Sequence, residues 1–260
     1  MLRLLCRFSS VFVLFCYCFL YGASAADREL NESGQVLPEM RLLDQIALAK
    51  VSRVLGSSRT RAYFTQPQPI YISGAHTEQS WGIYRPLALF SPHQQSMQAL
   101  RLVARASLTA SGGARSTLQV TSQSQEIRPL DIALPAARRA DIRVPTQHAE
   151  PAAVSVLGTP QGLHYAVRND WLVLDKGAEE KLVAGQRFAL FQRAAPGADI
   201  ATGTLMTDLA VGSLVVEQVY PHLSLARITA SSQVIDNKVV LRALADDTDA
   251  VSGSVLNESP

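Results

Sequence analysis

The sequence predicts a mainly β protein: two related small antiparallel modules, barrel- or sandwich-like, preceded by one amphipathic helix. Three observations lead to this fold class. Short apolar runs, several of them alternating with polar residues, recur along residues 61–245, and Gly or Pro turns separate them. The composition is 47% hydrophobic, which is typical of a folded chain. A seven-residue segment also recurs late in each half of the chain.

Residues 1–25 have the pattern of a cleavable export signal. Arg3 and Arg7 precede an apolar run over residues 11–20, which is shorter than the roughly 20 residues that a bilayer-spanning helix needs. Small residues at 23–25 predict cleavage after Ala25 and export to the periplasm. A retained membrane anchor is the alternative interpretation.

Removal of this segment changes the composition. The chain of 260 residues has 24 Lys and Arg, 22 Asp and Glu, and three Cys. Residues 1–25 hold two of the basic residues and all three cysteines, so the remaining 235 residues have balanced charge and no thiol. A neutral chain has no global field that attracts nucleic acid. Without thiols it has no disulfides, Cys-zinc site or cysteine nucleophile.

The N-terminal segment, residues 26–60, is predicted to contain a helix over residues 38–55. Pro38 suits the first helical turn, and Gly56 suits the end. Apolar residues recur at spacings of three and four, at Met40, Leu43, Ile46, Ala47, Val51 and Val54. Such a stripe packs on its own domain; a partner helix or a membrane surface is the alternative.

The first β module is predicted over residues 61–135 and the second over residues 158–245, with a connector at 136–157. Glycine at the 175–177 turn is expected to supply left-handed backbone freedom. Residues 246–260 form an acidic, Ser-rich tail that is predicted to be disordered. Predicted strands lie at residues 70–72, 81–84, 100–108, 117–120, 127–134, 165–167, 171–174, 187–191, 212–219, 224–229 and 238–241.

Two internal matches suggest that the modules are repeats. Residues 121–127 align with residues 229–235, with Thr, Ser, Gln and Ile in common. Residues 87–90 resemble residues 188–191. Short strands at this spacing are typical of small sandwiches or barrels.

The sequence predicts no catalytic, cofactor or metal-binding residues. The five histidines are at least sixteen residues apart, which excludes a helical zinc pair. His76 and Glu78 have the spacing of a zinc deaminase motif, but the cysteine ligands of that site are missing. The sequence contains no G-x-S-x-G motif. An envelope hydrolase that uses Glu179 or His164 is the weakest hypothesis.

One aromatic group is a candidate partner surface: Tyr71, Trp81 and Tyr84, with Arg85 beside them. Tyr, Trp and Arg are over-represented among residues that dominate binding energy. Burial in a β core is the alternative interpretation of the same residues.

The order of several motifs resembles a known family. Residues 70–74 and 83–85 are similar to the region after the LysM module of type IV pilus secretin-associated proteins (TsaP). The resemblance continues at residues 127–135, 171–178, 212–216 and 226–230, with Leu182 and Gly185, and this region is also similar to the C-terminal part of flagellar assembly protein T. The similarity covers residues 37–244. The LysM module has no counterpart, and the turns at 130–131 and 236–237 depart from the family's Gly-Asp pattern.

This resemblance implies a place near an envelope-spanning machine. The preferred hypothesis is a non-enzymatic periplasmic accessory protein that binds an outer-membrane secretin or another envelope ring. The alternative is a cell-wall module that binds peptidoglycan through its β units.

Overall fold

The computed structural model describes residues 35–57, 64, 68–92, 95–138, 153–193 and 208–244. The predicted signal peptide, most of the predicted connector and the predicted tail lie outside these residues. The described chain is mainly β with antiparallel sheets, which confirms the predicted fold class.

The first module is a sheet that closes on itself. Its strands are β2 (Met40–Asp44), β3 (Ser52–Ser57), β4 (Pro69–Ser73), β5 (Ser80–Phe90), β6 (Met97–Gly112), β7 (Arg115–Gln123) and β8 (Ile132–Pro135). The order is β2-β6-β5-β8-β3-β4-β7, and β7 pairs again with β6. Six strands therefore form a ring, while β2 lies outside it along the start of β6. A short pair, β1 (Gln35–Val36) with β9 (Ala137–Arg138), flanks this module.

The described part of the second module contains counterparts of the six ring strands in the same order. Its strands are β10 (Val156–Gly158), β11 (Tyr165–Ala166), β12 (Trp171–Leu174), β13 (Arg187–Gln192), β14 (Leu209–Val219), β15 (Ser224–Ser231), β16 (Ile235–Asp236) and β17 (Val240–Ala243). The main sheet has the order β10-β12-β15-β14-β13-β17, and β11 pairs with β16. Strands β10, β12, β13, β14, β15 and β17 correspond to β3, β4, β5, β6, β7 and β8.

The central hairpins of the two modules agree residue by residue. Ala106 pairs with Val120 in the first, and Leu214 pairs with Ile228 in the second, a shift of 108 residues in both strands. Bulges occupy equivalent places, at Arg105/Ala106 and Leu108/Ala110 and at Ser213/Leu214 and Val216/Gln218. The predicted match of residues 121–127 with 229–235 has the same shift, so this repeat is confirmed.

The second predicted match is wrong. Trp81 pairs with Ala106, and Phe188 pairs with Leu214, so Phe188 is equivalent to Trp81. Residues 188–191 therefore correspond to residues 81–84 and not to residues 87–90. Both of those segments are short apolar runs, and only the pairing register distinguishes them.

The rings differ in one pairing. In the first module, β3 pairs with β8 through Ser52 with Ala133 and Arg53 with Ile132. Within the described part of the second module, no pairing joins β10 to β17. The second module is therefore an open version of the first. Both interiors are filled by large apolar side chains, among them Ile72 and Leu174 at equivalent positions.

The predicted helix over residues 38–55 is wrong. Only α1 (Gln45–Leu48) is helical, between β2 and β3, and Ile46 on the predicted apolar stripe is 73% exposed. Met40 and Leu42 are buried and alternate with the partly buried Arg41 and Leu43, and β2 pairs with β6 over its full length. Tertiary pairing thus overrides an apolar spacing that also suits a helix. The first module consequently begins before residue 61, and the second begins before residue 158, because Val154 and Val156 belong to its core.

None of the described helices has the length and apolar character needed to cross a membrane.

Glycine is required at equivalent bulges. Gly56 and Gly158 have backbone φ angles of 149° and 147°, values that residues other than glycine rarely adopt. Gly177 is different, because its φ is not positive, which corrects the left-handed role expected at the 175–177 turn. A Cβ there would lie 2.1 Å from the carbonyl oxygen of Tyr220, so close backbone approach is the reason for this glycine.

Substitution of either bulge glycine should destabilise the protein. We expect Gly56→Ala and Gly158→Ala each to cost about 1–3 kcal/mol of unfolding free energy through backbone strain. Gly158→Ala should cost more, because its Cβ would also lie 3.0 Å from the carbonyl oxygen of Leu163. Gly112→Ala is the matched control, with ordinary φ and nothing within 4 Å of the added carbon. Urea unfolding followed by circular dichroism measures all three; equal losses in the control would contradict this account.

Candidate interaction surface

Strand β12 is buried on both faces. Leu172 and Leu174 point into the core of the second module. Trp171 and Val173 point outward, yet they are 6% and 0% exposed. The outward residues belong to a cluster that joins the two modules, formed by Met40, Leu42, Met97, Ala99, Trp171, Val173, Leu223 and Leu225. Leu87, Phe90, Leu157 and Tyr220 pack against this cluster.

Strand β2 lies at the centre of this interface. Its side chains Met40 and Leu42 pack between β6 and the second module. On its other edge, the Nε2 group of Gln218 donates to the Met40 carbonyl at 2.7 Å, and the Leu42 N–H donates to the Tyr220 hydroxyl at 2.8 Å. Burial raises the pKa of Tyr220, so its hydroxyl keeps the proton that it donates to Gln218.

An arginine covers the rim of the interface. The guanidinium of Arg227 lies 4.2 Å from the ring centre of Trp171, a cation–π contact. Its Nε donates to Glu217 at 2.6 Å, and its NH2 group lies 3.4 Å from Glu39 of the first module. The interface therefore combines an alternating apolar strand with two carboxylates, one from each module, that contact an arginine stacked on an aromatic ring.

No other described element covers the equivalent face of the first module. Shifts of 102 residues in β3 and β4 and of 108 in β7 relate Leu157, Trp171, Val173, Leu223 and Leu225 to Leu55, Pro69, Tyr71, Arg115 and Thr117. These last five residues are the Tyr71 face. Leu55 is 54% exposed, Pro69 and Arg115 are exposed, and Tyr71 and Thr117 are partly exposed.

The Tyr71 face has its own arginine–aromatic stack. The guanidinium of Arg115 lies 4.8 Å from the ring centre of Tyr71. Tyr71 is equivalent to Val173, so this stack lies one outward-facing position further along the sheet than the stack of Arg227 on Trp171. The chemistry of the contact is repeated, although its exact position is not.

The structure does not assemble the predicted partner surface of Tyr71, Trp81, Tyr84 and Arg85. Only Tyr71 faces outward. Trp81 is 2% exposed in the first core, and its Nε1 donates to the carbonyl of Glu78. Tyr84 is fully buried, because the segment leading to β2 covers it. For Trp81 and Tyr84, the alternative interpretation, burial in a β core, is therefore the correct one.

Arg85 is part of an internal ion pair. Its guanidinium contacts both carboxylate oxygens of Asp131, at 2.8 and 3.2 Å, and the Asp131 side chain is 5% exposed. The same carboxylate accepts from the backbone N–H of Arg128. Arg85 thus fixes the turn before β8 and does not extend the Tyr71 face.

Glu179, which the hydrolase hypothesis uses, lies with its neighbour Glu180 beside a loop histidine. Glu179 and Glu180 each lie 3.6 Å from a ring nitrogen of His222. Burial alone would raise the pKa of Glu180, but the Gly177 N–H and His222 lower it overall. His164 is next to β11 and has no contact with this group among the described interactions. The described residues contain no cluster of three or more His, Cys, Asp or Glu that could hold a metal.

One pattern in the sequence could have predicted the interface between the modules. Trp171, Leu172, Val173 and Leu174 form a continuous apolar run without alternation, which is typical of a strand buried on both faces. The Tyr71 face had no such pattern, because its members are spread over β3, β4 and β7.

A double-mutant cycle tests the interface. We expect Met40→Ala and Leu225→Ala each to cost about 2–4 kcal/mol of unfolding free energy, because each leaves a cavity. Both side chains belong to one cluster, so their double variant should deviate from additivity by about 0.5 kcal/mol or more. Met40→Ala with Ile127→Ala is the control pair, from separate clusters, and should be additive. Additivity in both pairs in urea unfolding would argue against the interface.

Alkaline pH tests the burial of Tyr84. Burial raises its pKa to about 12, and its hydroxyl donates to the Pro38 carbonyl at 3.1 Å. A raised pKa means that the neutral phenol stabilises the folded state fully below pH 10 and that this contribution disappears as pH rises through 12. Tyr84→Phe should therefore lose less stability than the parent protein between pH 10 and 12. Tyr165→Phe, at an exposed site, should behave like the parent protein.

Comparison with known proteins adds no relative. No protein-family model matches the chain, and a search of curated protein sequences finds no significant match.

Proposed function

We propose that this chain is an exported, non-enzymatic accessory protein of the cell envelope that binds protein partners through the Tyr71 face. One observation carries the proposal. Two faces occupy equivalent positions on repeated modules; one is buried against protein, and the other is exposed. A surface architecture that packs against protein in one module is thus available for a partner in the other.

The residues of the Tyr71 face suit a reversible protein contact. Tyr and Arg are enriched among residues that dominate binding energy, and Leu55 adds an exposed apolar side chain. Arg115 and Thr117 stand where the buried face has Leu223 and Leu225. Polar groups at these positions keep the face compatible with water when no partner is bound.

The proposed partner is an outer-membrane secretin or a comparable envelope ring, in the periplasm. The export signal pattern at residues 1–25 and the motif order shared with secretin-associated proteins support this assignment. Both interiors are filled with side chains, so binding is expected at the outer surfaces of the modules.

Affinity capture from envelope extracts tests the proposal. Tagged residues 26–260 should retain a secretin or pilus subunit, and Leu55→Ser combined with Tyr71→Ser should reduce recovery at least tenfold. Val234→Ser is the matched control, because Val234 is 59% exposed but lies outside the Tyr71 face. Recovery without any secretin or pilus subunit would overturn the choice of partner.

Sedimentation with purified sacculi distinguishes the proposed function from the alternative, a cell-wall module that binds peptidoglycan. The proposed function predicts that the protein stays in the supernatant. Saturable co-sedimentation that survives the Leu55 and Tyr71 substitutions would favour the cell-wall module instead.

A further inference from the structure

We infer that residues 141–144 of one copy bind the Tyr71 face of a second copy, so that copies of this chain associate head to tail. The inference rests on the proposed function in one respect: it takes the Tyr71 face as a docking surface, which a second copy and the envelope partner would occupy in turn. The internal repeat indicates which kind of element covers such a face.

In the second module, the equivalent face is covered by residues 39–42. Met40 and Leu42 enter the apolar cluster with Val173 and Leu225, and Glu39 contacts Arg227 at 3.4 Å. The covering element is therefore an extended segment with the pattern acid, apolar, Arg, apolar. It belongs to the first module, because it pairs with β6, and it contacts the module that follows.

The chain contains this pattern a second time. Residues 141–144 read Asp-Ile-Arg-Val, where residues 39–42 read Glu-Met-Arg-Leu. The distance between the two segments is 102 residues, the same shift that relates β3 and β4 to β10 and β12. The match continues at the same spacing without a gap: Gln45 corresponds to Gln147, and Ala47 corresponds to Ala149. Residues 139–152 lie outside the described part of the chain.

The repeat relation also gives the direction of binding. Residues 39–42 precede the first ring and contact the second module; residues 141–144 precede the second ring and would contact the module after it. Within the two described modules, the exposed face of this kind is the Tyr71 face, and in another copy it is available to this segment. The face and the segment are different surfaces, and such a heterologous contact produces a closed ring or an open filament.

The face offers matching chemistry. Leu55, Pro69 and Tyr71 provide the apolar surface for Ile142 and Val144. Arg115 provides a cation for Asp141, in the way that Arg227 provides one for Glu39.

Cysteine cross-linking tests the inference directly, because residues 26–260 contain no cysteine. Thr117 is equivalent to Leu225, and Ile142 corresponds to Met40; Leu225 and Met40 share one buried cluster. Thr117→Cys and Ile142→Cys are made in separate, differently tagged copies of residues 26–260 and mixed under mild oxidation. We expect a disulfide-linked heterodimer at least tenfold above a mixture of Thr117→Cys with Ala49→Cys, which presents an exposed cysteine elsewhere.

A second measurement uses no cysteine. Sedimentation velocity of the unmodified protein should show association that increases with concentration, and Tyr71→Asp should remove it while circular dichroism remains that of the parent. Val234→Asp should leave the association unchanged.

Two results would overturn the inference. One is cross-linking no greater than the control, together with a monomer at all concentrations. The other is a cross-linked monomer from the chain that carries both cysteines, which would mean that residues 141–144 bind their own first module. A monomer that still captures a secretin through the Tyr71 face would refute self-association and leave the proposed function intact. Self-association of the chain without capture of a secretin would support the inference and refute the proposed choice of partner.

Discussion

The structure depends on how strand β2 is held on both of its edges. One edge pairs with β6, and on the other edge Gln218 and Tyr220 of the second module bond to its backbone. Buried backbone groups need such partners, and these side chains supply them where no further strand is present. Met40 and Leu42 then bury apolar surface against both modules. One five-residue strand thus completes the first module and joins it to the second.

The repeat shows which equivalent positions keep their character in both modules and which positions differ. Inward positions stay apolar in both modules, as at Ile72 and Leu174, because each ring must fill its own interior. Outward positions on the same strands differ, because one face is buried and the other is exposed. Ser116 and Ser224 are polar exceptions at one inward position: the Ser116 hydroxyl donates to the Gly74 carbonyl, whereas the buried Ser224 hydroxyl has no hydrogen-bond partner among the described residues. The interior of the second module therefore carries the cost of one unsatisfied buried hydroxyl.

Local patterning predicted most of the strands and one of the two repeats. It failed for residues 38–55, where Met40, Leu43, Ile46 and Ala47 fit a helical stripe. The choice of strand over helix there depends on β6, more than fifty residues away, and no local spacing contains that information. The predicted partner surface failed for a related reason. Whether Tyr71 or Trp81 faces solvent depends on the register of the sheet and on what covers each face, which alternation alone does not give.

The Tyr71 face also shows why repeated modules need not bind in the same way. Full burial of an apolar face favours a permanent contact, as at Trp171 and Val173, which a single chain can form once as it folds. A face that awaits a separate molecule must remain soluble until binding, and Arg115 and Thr117 meet that requirement at the positions of Leu223 and Leu225. Leu55 and Tyr71 retain apolar surface that is at least partly exposed, and Arg115 adds a positive charge stacked on the Tyr71 ring. Divergence at these few outward positions thus separates a face buried between the modules from an exposed face, for which we propose reversible association.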